Sequence, residues 1–250
     1  MAGATVKLSD INIDSETYEI LSKGDLSDPL LIPSGSNYTF YTNVNYQGKS
    51  MRVIYKPRLG EQPLHDFISG SLYKREYASF LLSTALDWKF IPTTVVREGP
   101  YGIGSVQQFI DIEPESNYFT IAMANTYELQ KIALFDCISN NADRKASHCF
   151  IGRDGQVWGI DHGLTFNHIW KLRTVIWDFA ETPIAGDLVN QLSKLLAKIT
   201  RTSSEIHNIL NTLLTPEEFL SLCNRITHFV ESPIFPSYDP TRRNIPLPWF

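Results

Sequence analysis

Between residues 39 and 55, polar and apolar positions alternate in two runs, TFYTNV (39–44) and SMRVIY (50–55). Alternation sends successive side chains to opposite faces of a pleated strand, so both runs predict half-buried strands. The link Asn45-Tyr46-Gln47-Gly48-Lys49 carries the glycine that a hairpin turn favours. Upstream, residues 18–31 predict one or two more strands, with Gly24 and Asp25 at a turn, and Pro33-Ser34-Gly35-Ser36-Asn37 is a polar turn. Residues 57–70 contain breakers and predict a loop. The spacing changes at residues 72–86, where Leu72, Glu76, Phe80, Leu82 and Leu86 recur near the helical period without Pro or Gly.

Residues 93–97 and 104–112 predict two further strands around a Gly99-Pro100-Tyr101-Gly102 turn. From residue 126 the pattern is mostly helical, at 126–139, 187–200, 203–213 and 216–229. Thr215 before Pro216-Glu217-Glu218 reads as an N-cap followed by Pro in the first turn. Two short strands, 149–152 and 156–160, flank an Asp154-Gly155 hairpin signal, and the Pro-rich residues 233–250 predict an extended strap. A strand-rich first part with one helix, followed by a helical part holding a loop and a hairpin, outlines two lobes. Boundaries are expected at 1–106, a hinge at 107–113, and 114–250. A ligand is expected in the cleft between lobes.

Candidate chemistry concentrates in NNADRKASHCFIGRDGQVWGIDHGLTF (140–166). Asp143 opens a loop after a helix, His148 closes it, and Asp161 ends the second short strand before His162-Gly163. The hairpin is long enough to return Asp161 to the loop, which would bring two carboxylates and an imidazole together. Phosphoryl transfer uses such a set, one group to position the attacking hydroxyl and others to hold a metal against phosphate oxygens.

Asn141-Ala142-Asp143-Arg144 and Gly159-Ile160-Asp161-His162-Gly163, with Arg52-Val53-Ile54-Tyr55-Lys56-Pro57 and Tyr73-Lys74-Arg75-Glu76, resemble the phosphatidylinositol 3-/4-kinase-like superfamily. Within it, the chain is similar to a bacterial family distantly related to HipA-type kinases. The resemblance implies an α+β, protein-kinase-like two-lobed fold and an ATP- and divalent-metal-dependent phosphotransferase. Lys56 would hold the α/β-phosphates, Glu76 would orient Lys56, and Asp143 would position or deprotonate a hydroxyl acceptor, a protein Ser/Thr or a small molecule. Asp161 would bind Mg2+, Gln107, Gln108, Phe109 and Ile110 would form the hinge against adenine, and Ser34, Ser36 and Asn37 would lie in the turn covering the phosphates. His148 stands where the family has Asn. Imidazole suits softer metals than an amide oxygen does, so Mn2+ is a possible replacement for Mg2+; a direct phosphate contact by His148 and the loss of one metal site are the other outcomes open.

Composition narrows the picture little. The charge of −5 and the 43% hydrophobic content describe an ordinary globular chain and disfavour a broad nucleic-acid-binding face. Lys171, Arg173, Arg242 and Arg243 read as solvated surface. No apolar run nears the roughly 18 residues of a membrane span. Cys137, Cys149 and Cys223 lack CxxC spacing and suggest a reducing, cytoplasmic setting. Two other functions fit the same residues. One is a nucleotide-binding pseudokinase acting as a regulatory or interaction module. The other is a metal-dependent hydrolase built on His148, Asp161, His162 and His168.

Overall fold

A computed structural model describes residues 11–33 and 35–250. The first described element is helix α1 (Ser15–Lys23); the two strands of the segment where strands were expected lie at its end, and the helix takes residues 18–23 of it. Asp14 is the reason: its carboxylate accepts from the Glu16 and Thr17 amides, satisfying donors that the first turn leaves free. Strand pairing follows in the short β1 (Asp25–Leu26) and β2 (Leu30–Ile32), both antiparallel to β3 (Thr39–Tyr46). β3 turns tightly into β4 (Lys49–Pro57) through Gln47 and Gly48, both at positive φ, as a two-residue hairpin of this hand requires.

Helix α2 (Leu72–Ala85) then precedes β5 (Thr94–Gly99) and β6 (Gly102–Gln108). The sheet runs β1-β3-β4-β6-β5, with β2 also on β3. Alternation along β4 buries Val53 and Tyr55 with Ile20, Leu21 and Val106, which leaves Ile54 and Lys56 on the opposite face. Lys56 therefore looks away from the small-lobe core.

The second lobe comprises α3 (Tyr118–Ile121), α4 (Thr126–Ser139), the hairpin β7 (Cys149–Ile151) and β8 (Val157–Gly159), then α5 (Gly186–Thr200), α6 (Glu205–Leu213) and α7 (Pro216–Glu231). The start of α7 is a capping box. Thr215 Oγ1 accepts from the Glu218 amide, and Glu218 Oε2 accepts from the Thr215 amide. Past residue 233 the chain is a strap that closes onto the lobe through backbone bonds from Thr174 to Asn244 and from Ala146 to Trp249. No helix among the described residues is long and apolar enough to cross a membrane.

α2 belongs to both lobes. It packs beside β5 and β6, yet Tyr77, Ala78, Phe80, Leu81 and Leu82 lie in the core shared with α4, α5, α6 and α7. All its residues except Lys74 and Ala85 are buried, unlike a surface helix with one apolar stripe.

β4 and β6 approach closely where Gly104 faces Pro57, and a Cβ on Gly104 would lie 2.4 Å from the Lys56 carbonyl oxygen. Backbone on both sides leaves no flexible side chain to yield. Gly104→Ala should therefore lower stability by about 1–3 kcal/mol, read as a shift in the urea midpoint. An unchanged midpoint would show that the strands can separate there at no cost.

Candidate active site

Lys56 projects from β4 into the cleft, and Glu76 meets it from the second turn of α2, with Nζ 2.5 Å from Glu76 Oε1. The same Nζ lies 2.9 Å from Asp161 Oδ1, so one ammonium joins sheet, helix and the loop after β8. Burial alone would lower the Lys56 pKa, but the Asp161 and Glu76 carboxylates outweigh it and hold the group above its ordinary value. Asp161 is held well below the usual carboxylate range, chiefly by Lys56. It sits at positive φ with its side chain 46% exposed toward the cleft. Glu76 is spanned on its other oxygen by the His162 amide at 2.9 Å.

The loop carrying Asp143 begins where α4 ends. Asn140 takes the left-handed conformation at the C-cap, and its amide donates to the Asn167 and Ile169 carbonyls. Asn141 accepts from the Asp143 amide through Oδ1 and donates to Asp136 through Nδ2, fixing the turn from both sides. Arg144 then points inward. Fully buried, its guanidinium donates to both oxygens of the equally buried Asp136 and to the Ile160 carbonyl. It also donates to His162 Nε2 at 2.6 Å. A guanidinium has no acceptor, so the neutral His162 ring must carry its proton on Nδ1. The residues after the two candidate aspartates, Arg144 and His162, thus hold each other. Asp143 itself stays in the cleft, 3.2 Å from Lys145 Nζ, with burial raising its carboxyl pKa against the lowering effect of Lys145.

His148 is nearly buried, and burial lowers its pKa to about 4, against the opposing pull of Asp161. The ring is therefore neutral near pH 7. Its Nδ1 accepts a long bond (3.4 Å) from the Lys145 amide, so the proton rests on Nε2, 3.5 Å from Asp161 Oδ2. Among the described residues no three His, Cys, Asp or Glu side chains gather to hold a metal unaided. A nucleotide-borne divalent ion needs only one or two protein ligands beside phosphate oxygens, and the open Asp161 carboxylate with His148 next to it fits that demand. Ligation through Nε2 would move the ring proton to Nδ1 and release the weak Lys145 bond.

The cleft has a volume of about 420 Å³, and Lys56, Glu76, Asp143, His148 and Asp161 all line it. Ser36 and Asn37 also reach it, whereas Ser34 lies outside the described residues. Asn37 Oδ1 accepts from the Gln62 amide, which pins this turn to the following loop. Gln107 and Gln108 are the last residues of β6, and Phe109 continues the pairing through its amide to the Arg52 carbonyl. The Gln107 side-chain amide is committed to Thr94 Oγ1, while Ile110 packs with Phe150 and Trp158 on the cleft wall.

The hydrolase set does not assemble. His162 is buried with Nε2 occupied by Arg144, and His168 is exposed. Several residues around the site had escaped the sequence reading. Asp136, in the apolar pattern of α4, had a signal in being the one carboxylate of an otherwise buried helix turn. Phe250 of the strap lines the cleft, and Arg75 is buried beneath it. Neither had a local signal, since both depend on contacts with distant segments.

No model of a known protein family matches the chain. It is 31% identical to protein Rv2133c of Mycobacterium tuberculosis (strain ATCC 25618 / H37Rv), in an alignment of 274 positions taking in 96% of either chain. Among solved structures, it is similar to the golgi casein kinase, with a TM-score of 0.56 at 14% identity, over 86% of this chain and 74% of that one. It is also similar to the Helicobacter pylori proinflammatory kinase CtkA, with a TM-score of 0.52 at 9% identity, over 86% and 94% of the two chains. At such identities the likeness is one of fold, and the fold is that of two-lobed kinases.

The neutral state of His148 has a consequence for stability. Between about pH 6.5 and 4 the unfolded chain binds a proton at this ring that the folded chain excludes. Stability from this group is complete above pH 6.5 and declines as pH falls toward 4. Denaturant unfolding at pH 7, 5.5 and 4.5 should show this decline, and His148→Asn should flatten it in part, since buried His162 contributes with the same sign. Equal slopes for the two proteins would mean that His148 is charged in the folded state.

Proposed function

We propose, from its kinase fold and the cleft, that this chain, a member of the family of protein Rv2133c, is an ATP- and divalent-metal-dependent phosphotransferase. The acceptor is a hydroxyl, on a protein Ser/Thr or a small molecule, and the site is of the PI3/4-kinase-like and HipA-like type. One observation carries this reading: Lys56 is bound at once by Glu76 and Asp161 in the cleft that also holds Asp143.

In this proposal Lys56 grips the α/β-phosphates, and Glu76 keeps the ammonium aimed at them. Asp161 and His148 would hold the metal, which when bound supplies positive charge against the phosphate oxygens. Asp143 accepts the proton of the acceptor hydroxyl as that oxygen bonds to the γ-phosphorus, and the bond to the bridging oxygen of departing ADP breaks. The raised pKa of Asp143 suits it to taking a proton, and Lys145 steers its carboxylate. Residues 107–110 offer the extended edge against adenine. The three cysteines stand free, so a reducing compartment is part of the proposal.

A regulatory nucleotide-binding module without turnover is the second reading. The observation favouring it is His148, neutral and turned toward Asp161 where kinases place an amide oxygen.

Thermal melts with nucleotide and metal separate these readings. ATP with Mg2+ or Mn2+ should raise the melting temperature, and Asp161→Ala should remove the metal-dependent part while the ligand-free protein still folds. Unchanged metal dependence in that variant would take Asp161 out of the site. Turnover of γ-labelled ATP then marks an enzyme, and Lys56→Met should slow it about 100-fold or more. Nucleotide-dependent stabilisation without turnover would favour the regulatory module, and stabilisation by metal alone would overturn both. His148→Asn should shift metal preference toward Mg2+.

A further inference from the structure

Arg75 directly precedes Glu76 on α2, yet points to the other lobe. It is 2% exposed, and each nitrogen of its guanidinium has a partner. Nη2 donates to Glu218 Oε1 of α7 at 2.5 Å, Nη1 to the Thr165 carbonyl at 2.6 Å, and Nε to Ser71 Oγ at 3.3 Å. The Phe67 ring covers the guanidinium, 4.9 Å from its carbon to the ring centroid. Glu218 is itself nearly buried, and its other oxygen closes the α7 capping box.

The ion pair thus reaches from the helix that carries Glu76 to the first turn of α7. Nearby contacts repeat the crossing. From α2, Ser79 Oγ lies 3.3 Å from Thr165 Oγ1; from the loop leading into α2, Asp66 pairs with Lys171 at 2.8 Å and its carbonyl accepts from the Asn167 amide. Thr165, Asn167 and Lys171 all belong to the segment just after Asp161-His162-Gly163, so helix and segment are fastened to each other as well as to α7.

We propose that Arg75 is a positioning residue for phosphoryl transfer: through Glu218 and Thr165 it ties α2 to the second lobe and so keeps Glu76 on Lys56. The inference rests on the phosphotransferase reading above. Two adjacent residues divide the work, Glu76 facing the cleft and Arg75 anchoring the helix behind it. Packing alone gives α2 a place in the core, but an apolar contact is non-directional and leaves rotation about the helix axis weakly determined. A forked guanidinium bound to the second lobe through Nη1 and Nη2, and braced at Nε by Ser71 at the start of the same helix, sets that rotation, and with it the direction of Glu76. The tie needs no ligand, no modified residue and no second chain, so the Lys56–Glu76 pair stands assembled in the resting protein.

Removing Arg75 alone would strand a buried carboxylate and could unfold the chain, so the test uses Arg75→Met with Glu218→Gln, which deletes both charges and keeps an acceptor for the Thr215 amide. Wild type and double variant are compared by thermal melt and by steady-state turnover of γ-labelled ATP with Mg2+ and Mn2+, counting both released phosphate and label on the protein. The double variant should fold cooperatively and lose about 10- to 100-fold in kcat with the KM for ATP changed less than about threefold, as expected when geometry rather than binding fails. A folded double variant with wild-type kcat would overturn the positioning role. So would a fall in activity that follows only the folded fraction, or one confined to KM. Absence of turnover in the wild-type protein is the separate failure of the phosphotransferase reading, and the positioning role would fall with it.

Discussion

Asp136 and Arg144 share a buried ion pair, and most of the candidate site is arranged around it. An unpaired charge in that position would cost several kcal/mol, so neither side chain can move without the other. Arg144 cannot shift without moving Asp143, its neighbour in the chain. It cannot turn without releasing His162, the neighbour of Asp161, or the Ile160 carbonyl. One guanidinium therefore sets the distance between the two aspartates. His162 carries the constraint onward, since its amide binds the glutamate that binds Lys56. The path from the α4 core to the cleft is continuous, and each link is a hydrogen bond with a defined donor and acceptor.

The two lobes are joined differently from the usual picture of two bodies around a hinge. The small-lobe core lies between the sheet and α1, but the central apolar face of α2 belongs to the large-lobe core. Burial on nearly all sides is costly for a helix carrying Arg75 and Glu76, and each of these charges finds an opposite charge in a different direction. Such pairing is what a buried charge requires. The cleft is consequently bounded by a helix that is fixed from behind and a sheet whose β4 and β6 meet closely at Gly104.

His148 stands beside Asp161 in the cleft, where the sequence resemblance implied an Asn. Its burial makes it a neutral ring, which disfavours a cationic contact with phosphate. As a neutral ring it can serve as a donor to Asp161 or, with its proton on the other nitrogen, as a ligand beside it. The membership of the Rv2133c family supplies relatedness along nearly the whole chain, and the two kinase structures supply the fold.

The alternation of 39–55, the hairpin glycine, the unbroken helical spacing of 72–86 and 126–139 and the Thr215 cap were all readable in the sequence, because each depends on neighbours within a few residues. So was the grouping of Asp143, His148 and Asp161, since a loop and one short hairpin join them. Residues 18–23 were read as strand and fold as the end of α1, because the Asp14 cap, a single side chain outside that segment, starts the helix. The partners of Arg75, Asp136 and Phe250 were beyond reach for a different reason. Arg75 meets Glu218 across 143 positions of chain, and no local period or spacing encodes a contact made only when two helices pack. Sequence determined which candidate residues share the cleft; tertiary packing decided which buried charges hold them in place, because a desolvated charge takes its partner from whatever the fold brings beside it.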